Sequence, residues 1–190
     1  MLEIDDKTYS RREIIKASMW GILGSAVLPG FANASAIKMP DVGSFNVSFR
    51  NQHTGELFTG DYRVGSKYLS KTFKEINHVL RDFRTNEVFP IDPRVIDIIY
   101  MIRKKAGIKE PLEILSGYRC PNTNARLSLV SEGGVAKNSL HMTGQAIDFR
   151  IPGFSTRDVQ KIAINLKAGG VGYYSKSNFV HVDTGRLRQW

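Results

Sequence analysis

The stretch "SLHMTGQAIDF", from Ser139 to Phe149, holds a histidine and an aspartate seven residues apart with a glycine between them. Apolar strand sequence such as "AIDF" ordinarily excludes a carboxylate, so Asp148 demands a partner for its charge. A second stretch, "FVHVD", carries His181 and Asp183. Period-two alternation there sends Phe179, His181 and Asp183 to one strand face and Val180 and Val182 to the other. Two imidazoles and one carboxylate are the usual ligand set for a catalytic zinc that keeps a position open for water. Gly144 lets the chain turn so that His141 and Asp148 can face one ion. The interval between them does not place two ligands on successive turns of one helix, which excludes an HExxH arrangement and leaves a site of loops and strands. A histidine taken alone is more often structural. His53, in a turn, and His78, on a polar helix face, are read that way, whereas His141 and His181 each lie beside a strand that carries an aspartate. The single Cys120 excludes an intrachain disulfide and a cysteine-rich zinc site.

The elements that must position these residues fall into two stretches. "SFNVSFR" and "ELFTGDY" alternate apolar and polar residues around "NQHTG", the pattern of a β-hairpin. Leu69, Phe73, Ile76, Leu80 and Phe83 then form one helical stripe. Asp92 and Pro93 open a second helix as cap and first turn, running to about Lys105 and stopped by Gly107. From there short strands alternate with loops. "LEIL" runs into "SGYR", a short helix follows from Pro121 to about Leu129, and "AIDFR" is the next strand. Ser155 caps a helix with Asp158 in its first turn. "GGVGYY" and "FVHVDTG" are the last two strands, joined by a turn near Ser175 to Asn178. The predicted fold class is α+β: a small antiparallel sheet with helices packed on one side, preceded by a signal peptide and the hairpin.

A chain of 190 residues with 42% apolar content supports one core of ordinary size. The expected division is a signal peptide over 1–36 and a single domain over 37–190. Arg11 and Arg12 in "SRREIIK" precede an uncharged stretch, Ala17 to Ala36, that ends in small residues. That layout resembles a twin-arginine export signal, with Ile14 and Ile15 where such signals prefer Phe and Leu, and implies export of a folded protein across a bacterial inner membrane. Gly21, Gly24, Pro29 and Gly30 weaken the alternative of a membrane anchor, since a span needs about 20 apolar residues. The first 36 residues hold four bases and four acids, so the remainder keeps 23 bases against 14 acids, a net +9. A basic surface suits an acidic polymer, and outside the cytoplasm the cell wall ranks above nucleic acid.

"SLHMTGQAIDF" followed by "FVHVDTG" resembles the metallopeptidases that group D-Ala-D-Ala peptidases with lysostaphin-like enzymes and the hedgehog signalling domain. Together with the export signal, "NQHTGE", "SGYR" and "GGVGYY", the chain looks like a member of the murein endopeptidase K family over nearly its whole length. The resemblance implies a zinc site of His141, Asp148 and His181, peptidoglycan cross-links as substrate, and a periplasmic location. A monomer that binds no nucleic acid and, once its signal is removed, has no stable membrane insertion is expected. Arg119, in "SGYR", is the candidate for stabilising the oxyanion of the tetrahedral transition state, because the corresponding arginine of the family lies by the substrate carbonyl. Several relatives place a carboxylate three residues before the last histidine ligand, or another histidine two before it. Here those positions are Asn178 and Phe179. Asp183 is the carboxylate left on that face, as general base or as partner to an imidazole N–H. Ser139, Tyr118, Tyr173 and Tyr174 are candidate substrate contacts. Three alternatives stand beside this reading: a D-Ala-D-Ala carboxypeptidase, a non-catalytic zinc-containing wall-binding module, and a thiol peptidase using Cys120.

Overall fold

The computed structural model describes residues 37–130 and 135–190. The expected signal peptide lies outside them. Eight strands form one sheet: β1 (Ser44–Asn51), β2 (Leu57–Val64), β3 (Lys67–Tyr68), β4 (Leu112–Ser116), β5 (Ala146–Arg150), β6 (Gly170–Tyr174), β7 (Phe179–Asp183) and β8 (Arg188–Gln189). Their spatial order is β3-β2-β1-β4-β5-β7-β6-β8. The helices are α1 (Ser70–Val79), α2 (Pro93–Ala106), α3 (Pro121–Val130) and α4 (Thr156–Asn165), and a 3₁₀ turn spans Leu140–Thr143.

The sheet departs from the small antiparallel one expected. It is mixed, because β1 runs parallel to β4, pairing Phe49 with Leu112, and β6 runs parallel to β8, pairing Gly170 with Arg188. A parallel pair needs a long crossover, and the chain between β1 and β4 supplies one through β2, β3, α1 and α2. β1 and β2 pair antiparallel from Ser44↔Val64 to Arg50↔Leu57, but as part of this sheet rather than ahead of it. β1 buries Val47 and Phe49 on one face and on the other Ser48, whose hydroxyl lies 2.7 Å from that of Thr59 on β2. "FVHVDTG" is not the last strand either, since the chain goes on to β8.

Local signals explain the helices. Asp92 accepts the Arg94 N–H at 2.9 Å, Pro93 occupies the first turn, and Gly107 closes α2 in the left-handed region at φ 68°. The α1 stripe buries Phe73, Ile76, Val79 and Leu80, while Phe83, beyond the helix, stacks on His53 at 3.8 Å. Asp97 of α2 is buried and accepts hydrogen bonds from Tyr62, Tyr68 and Arg63 at 2.8, 2.6 and 3.2 Å, which ties α2 to β2 and β3.

Alternation along β5 and β7 sorts the faces. Ile147, Phe149, Val180 and Val182 join Val95, Ile99 and Ile102 of α2 and Val159 and Ala163 of α4 in one core. Each buried Val, Ile or Phe among them contributes about 1.5–3 kcal/mol. Asp148, His181 and Asp183 therefore point to the opposite face.

Candidate metal centre

His141 sits in the 3₁₀ turn. Ser139 caps it, its Oγ accepting the His141 N–H at 3.4 Å, and Gly144 ends it at φ 66°. A Cβ at Gly144 would collide with the Pro90 carbonyl, so sterics and backbone conformation both require glycine there. The His141 Nδ1 lies 2.7 Å from the Gly117 carbonyl oxygen. A carbonyl only accepts, so Nδ1 carries the proton and the Nε2 lone pair faces outward. It meets Asp148 Oδ2 at 3.2 Å.

Asp148 and His181 are direct cross-strand partners on β5 and β7. His181 Nδ1 lies 2.8 Å from Asp148 Oδ1, and its Nε2 lies 2.9 Å from Asp183 Oδ2. The His141 and His181 rings stand 5.1 Å apart at 69°. His141, Asp148 and His181 each offer one ligand atom, all within 4.8 Å of one another, and all three residues are buried.

This donor set fits a divalent cation. His141 Nε2 and Asp148 Oδ2 are both electron-rich, and only a positive charge between them, a proton or a metal, makes their approach favourable. Burial works against a charged Asp148, but the contacts to His141 and His181 outweigh it and hold the carboxyl well below the usual carboxylate range. Burial also disfavours a charged His181, yet its hydrogen bonds to Asp148 and Asp183 push it up to about 9. For Asp183, burial is again outweighed, here by His181 and Arg188, and the carboxyl is held down at about 2. Carboxylates held charged beside the two imidazoles favour a cation between them, and two nitrogens with one carboxylate oxygen suit zinc.

Asp183 is fully buried, behind His181. It accepts hydrogen bonds from the backbone N–H of Gly170 (3.0 Å) and Gly185 (2.9 Å) and from Arg188 Nη1 (3.1 Å) and Nη2 (2.6 Å). Such a carboxylate fixes the proton of His181 on Nε2 and turns Nδ1 toward Asp148.

The three residues open onto a cleft of about 420 Å³. Arg119 also lines it, with Nη2 3.6 Å from Asp148 Oδ2 and Nη1 3.3 Å from Asn124 Oδ1. Its buried Nε has no hydrogen-bond partner among the described residues. Asn124 in turn donates to the Ala136 and Lys137 carbonyls, which fastens α3 to the cleft rim.

The other expected residues divide. Ser139 and Tyr174 line the cleft. Tyr118 and Tyr173 are not among its lining residues: Tyr118 donates to Glu87 at 2.6 Å and stacks on Phe89, and Tyr173 packs against the core. Cys120 is buried, with Sγ 3.4 Å from the Thr123 hydroxyl. His53 meets the Leu115 carbonyl and His78 meets Glu56, both away from the cleft. Sequence reasoning missed Arg188 and Trp190, which line the cleft from β8 and the residue after it. Their one available signal is the i, i+2 spacing in "RQW", which puts both on one strand face.

Comparison with known proteins bears on what such a cleft is for. The profile of the Peptidase_M15_2 family, described as peptidoglycan L,D-endopeptidase MepK, matches residues 41–190. The chain belongs to this family. The peptidoglycan L,D-endopeptidase MepK of Escherichia coli K12 is 40% identical over 187 residues, 97% of this chain and 100% of the relative. The protein of the same name from Shigella flexneri shows the same identity and coverage. A probable peptidoglycan L,D-endopeptidase MepK of Haemophilus influenzae Rd is 40% identical over 176 residues, 91% of this chain and 92% of the relative. No solved structure matches the chain. Membership makes the chain a peptidase by descent, and among the described residues no helix is long and apolar enough to cross a membrane.

Proposed function

We propose that the chain is a zinc-dependent murein endopeptidase that hydrolyses L,D peptide cross-links of peptidoglycan in the periplasm. Residues 1–36 act as a cleaved twin-arginine-type signal, and 37–190 form a single zinc peptidase domain that works as a monomer. The observation that carries this reading is the approach of His141, Asp148 and His181 to within 4.8 Å in a chain of the MepK family. The L,D preference follows that of the MepK relatives as they are named.

In this proposal His141 binds through Nε2, Asp148 through a carboxylate oxygen and His181 through Nδ1. When bound, zinc supplies a water acidic enough to act as nucleophile near neutral pH. Asp183, bonded to His181 Nε2 and Arg188, orients the ligand ring rather than facing substrate. Arg119, lining the cleft beside Asp148, presents a fixed cation to the carbonyl oxygen as it gains charge. The basic excess, 23 bases to 14 acids after residue 36, suits an anionic wall.

Digestion of purified sacculi with mass analysis of the products tests the reading. The expected result is release of cross-linked muropeptides that stops with a chelator and returns with zinc. Hydrolysis that survives chelation would sink it in favour of a thiol enzyme, release of terminal residues alone would make the protein a carboxypeptidase, and binding without any hydrolysis would make it a wall-binding module.

A further inference from the structure

The metal-centre face of the sheet continues into an aromatic wall. Gly172 of β6 lies directly opposite His181 in the β6–β7 register. A Cβ at Gly172 would stand 2.7 Å from the Trp190 ring, so the bare glycine leaves the gap into which the indole fits. The indole lies 5.3 Å from the His181 ring at 48°. Its Nε1–H donates to the Tyr174 hydroxyl at 2.9 Å, and Tyr174 stacks on Phe179 at 4.4 Å. The Trp190 backbone is pinned at both groups: its N–H donates to the Val171 carbonyl at 3.2 Å, and its carbonyl accepts from Tyr173 at 2.9 Å. The Arg188 guanidinium lies 5.0 Å from the ring, with both Nη atoms engaged by Asp183.

Held by these contacts, Trp190 is still 47% exposed at the cleft edge. Its one polar atom is satisfied, so what it offers is apolar surface. That surface is within about two residues' reach of the ligand ring, given a rise of roughly 3.3–3.6 Å per extended residue. On the endopeptidase reading, on which this inference rests, the groups that near to the cleaved bond are peptide, and glycan lies farther off. We propose that Trp190, backed by Tyr174 and Phe179, is a specificity-determining wall that receives the aliphatic side chain of the residue flanking the cleaved bond.

The test uses the full-length, zinc-loaded protein and synthetic peptides that keep one partner of the L,D bond and carry, as the other, glycine or, in the matching configuration, alanine or a longer unbranched alkyl amino acid. Wild-type kcat/KM rises along that series. Trp190→Ala lowers it about tenfold more on the longest side chain than on the glycine peptide, mainly through KM, so the rise along the series is lost. Trp190→Phe recovers most of the loss, and both variants keep full zinc content. The second tryptophan of the sequence is Trp20, so the emission difference between wild type and Trp190→Phe isolates the indole at the site. It shifts when an alkyl-flanked, non-hydrolysable peptide is added and stays constant with peptide-free glycan. An equal loss on glycine and alkyl peptides in Trp190→Ala, or an emission response to the glycan instead of the peptide, overturns the proposal. Wild-type protein that cleaves none of the peptides overturns the endopeptidase reading itself, a result distinct from a wild type that cleaves them all without preference.

Discussion

Replacing Asp183 by asparagine keeps the shape of the side chain and changes only what it can accept. Asparagine retains its Oδ1 for the Gly170 and Gly185 N–H groups, which sit 3.0 and 2.9 Å away in wild type. Its amide nitrogen then takes the place of Oδ2, where a donor meets two donors, Arg188 Nη2 at 2.6 Å and His181 Nε2 at 2.9 Å. Two charge-assisted hydrogen bonds are lost at a residue with 0% exposure, at about 1.5–3 kcal/mol each. The expected destabilisation is therefore about 3–6 kcal/mol, close to the cost of breaking a buried ion pair. His181 relieves the clash by moving its proton to Nδ1, the nitrogen that faces Asp148, and so loses the lone pair meant for the metal. Zinc affinity should fall about 10- to 100-fold. Urea unfolding of the metal-depleted protein reads the first quantity, and competition with a chelating dye reads the second. A variant that binds zinc with wild-type affinity yet has lost turnover would refute the reasoning, and would make Asp183 the general base.

Arg119→Ala should keep zinc and lower kcat about 100-fold or more, as loss of one oxyanion donor does; steady-state kinetics on cross-linked muropeptides decide, and an unchanged kcat removes the role. Gly144→Ala forces an L side chain to φ 66° against the Pro90 carbonyl and should cost more than about 1 kcal/mol, seen as a lower urea midpoint. For the metal-depleted protein, His181 rises from an ordinary 6.5 to about 9 on folding. Its stabilisation is complete below pH 6.5 and lost as pH rises through about 9, so denaturation midpoints should fall across that window. Saturating zinc, which takes the place of the proton, should abolish the fall.

What could be read from sequence, and what could not, follows from the range of the forces involved. Asp148 betrayed itself because a carboxylate inside "AIDF" is costly without a partner, and the alternation of "FVHVD" put His181 on the matching face. The caps of α2 are equally local, a side chain and a glycine within a few residues of the helix they bound. The pairing of β1 with β4 left no local trace, because the alternation that marks a strand says nothing of which distant strand lies beside it. β8, two residues long, is too short to show a period at all. The sequence left Asp183 with two roles because it fixes the face of a residue but not which imidazole nitrogen that residue meets. Arg188 and Trp190 depended on β8 and went unseen with it.

The position of β7 between β5 and β6 makes its docking the step that completes this half of the sheet. Until β7 docks, β5 has no neighbour on one side and shows a bare row of N–H and C=O groups, with Asp148 left only the His141 imidazole. A chain in which β7 has not yet docked is therefore the form most liable to stick to another copy, and a shielding chaperone would matter most for it.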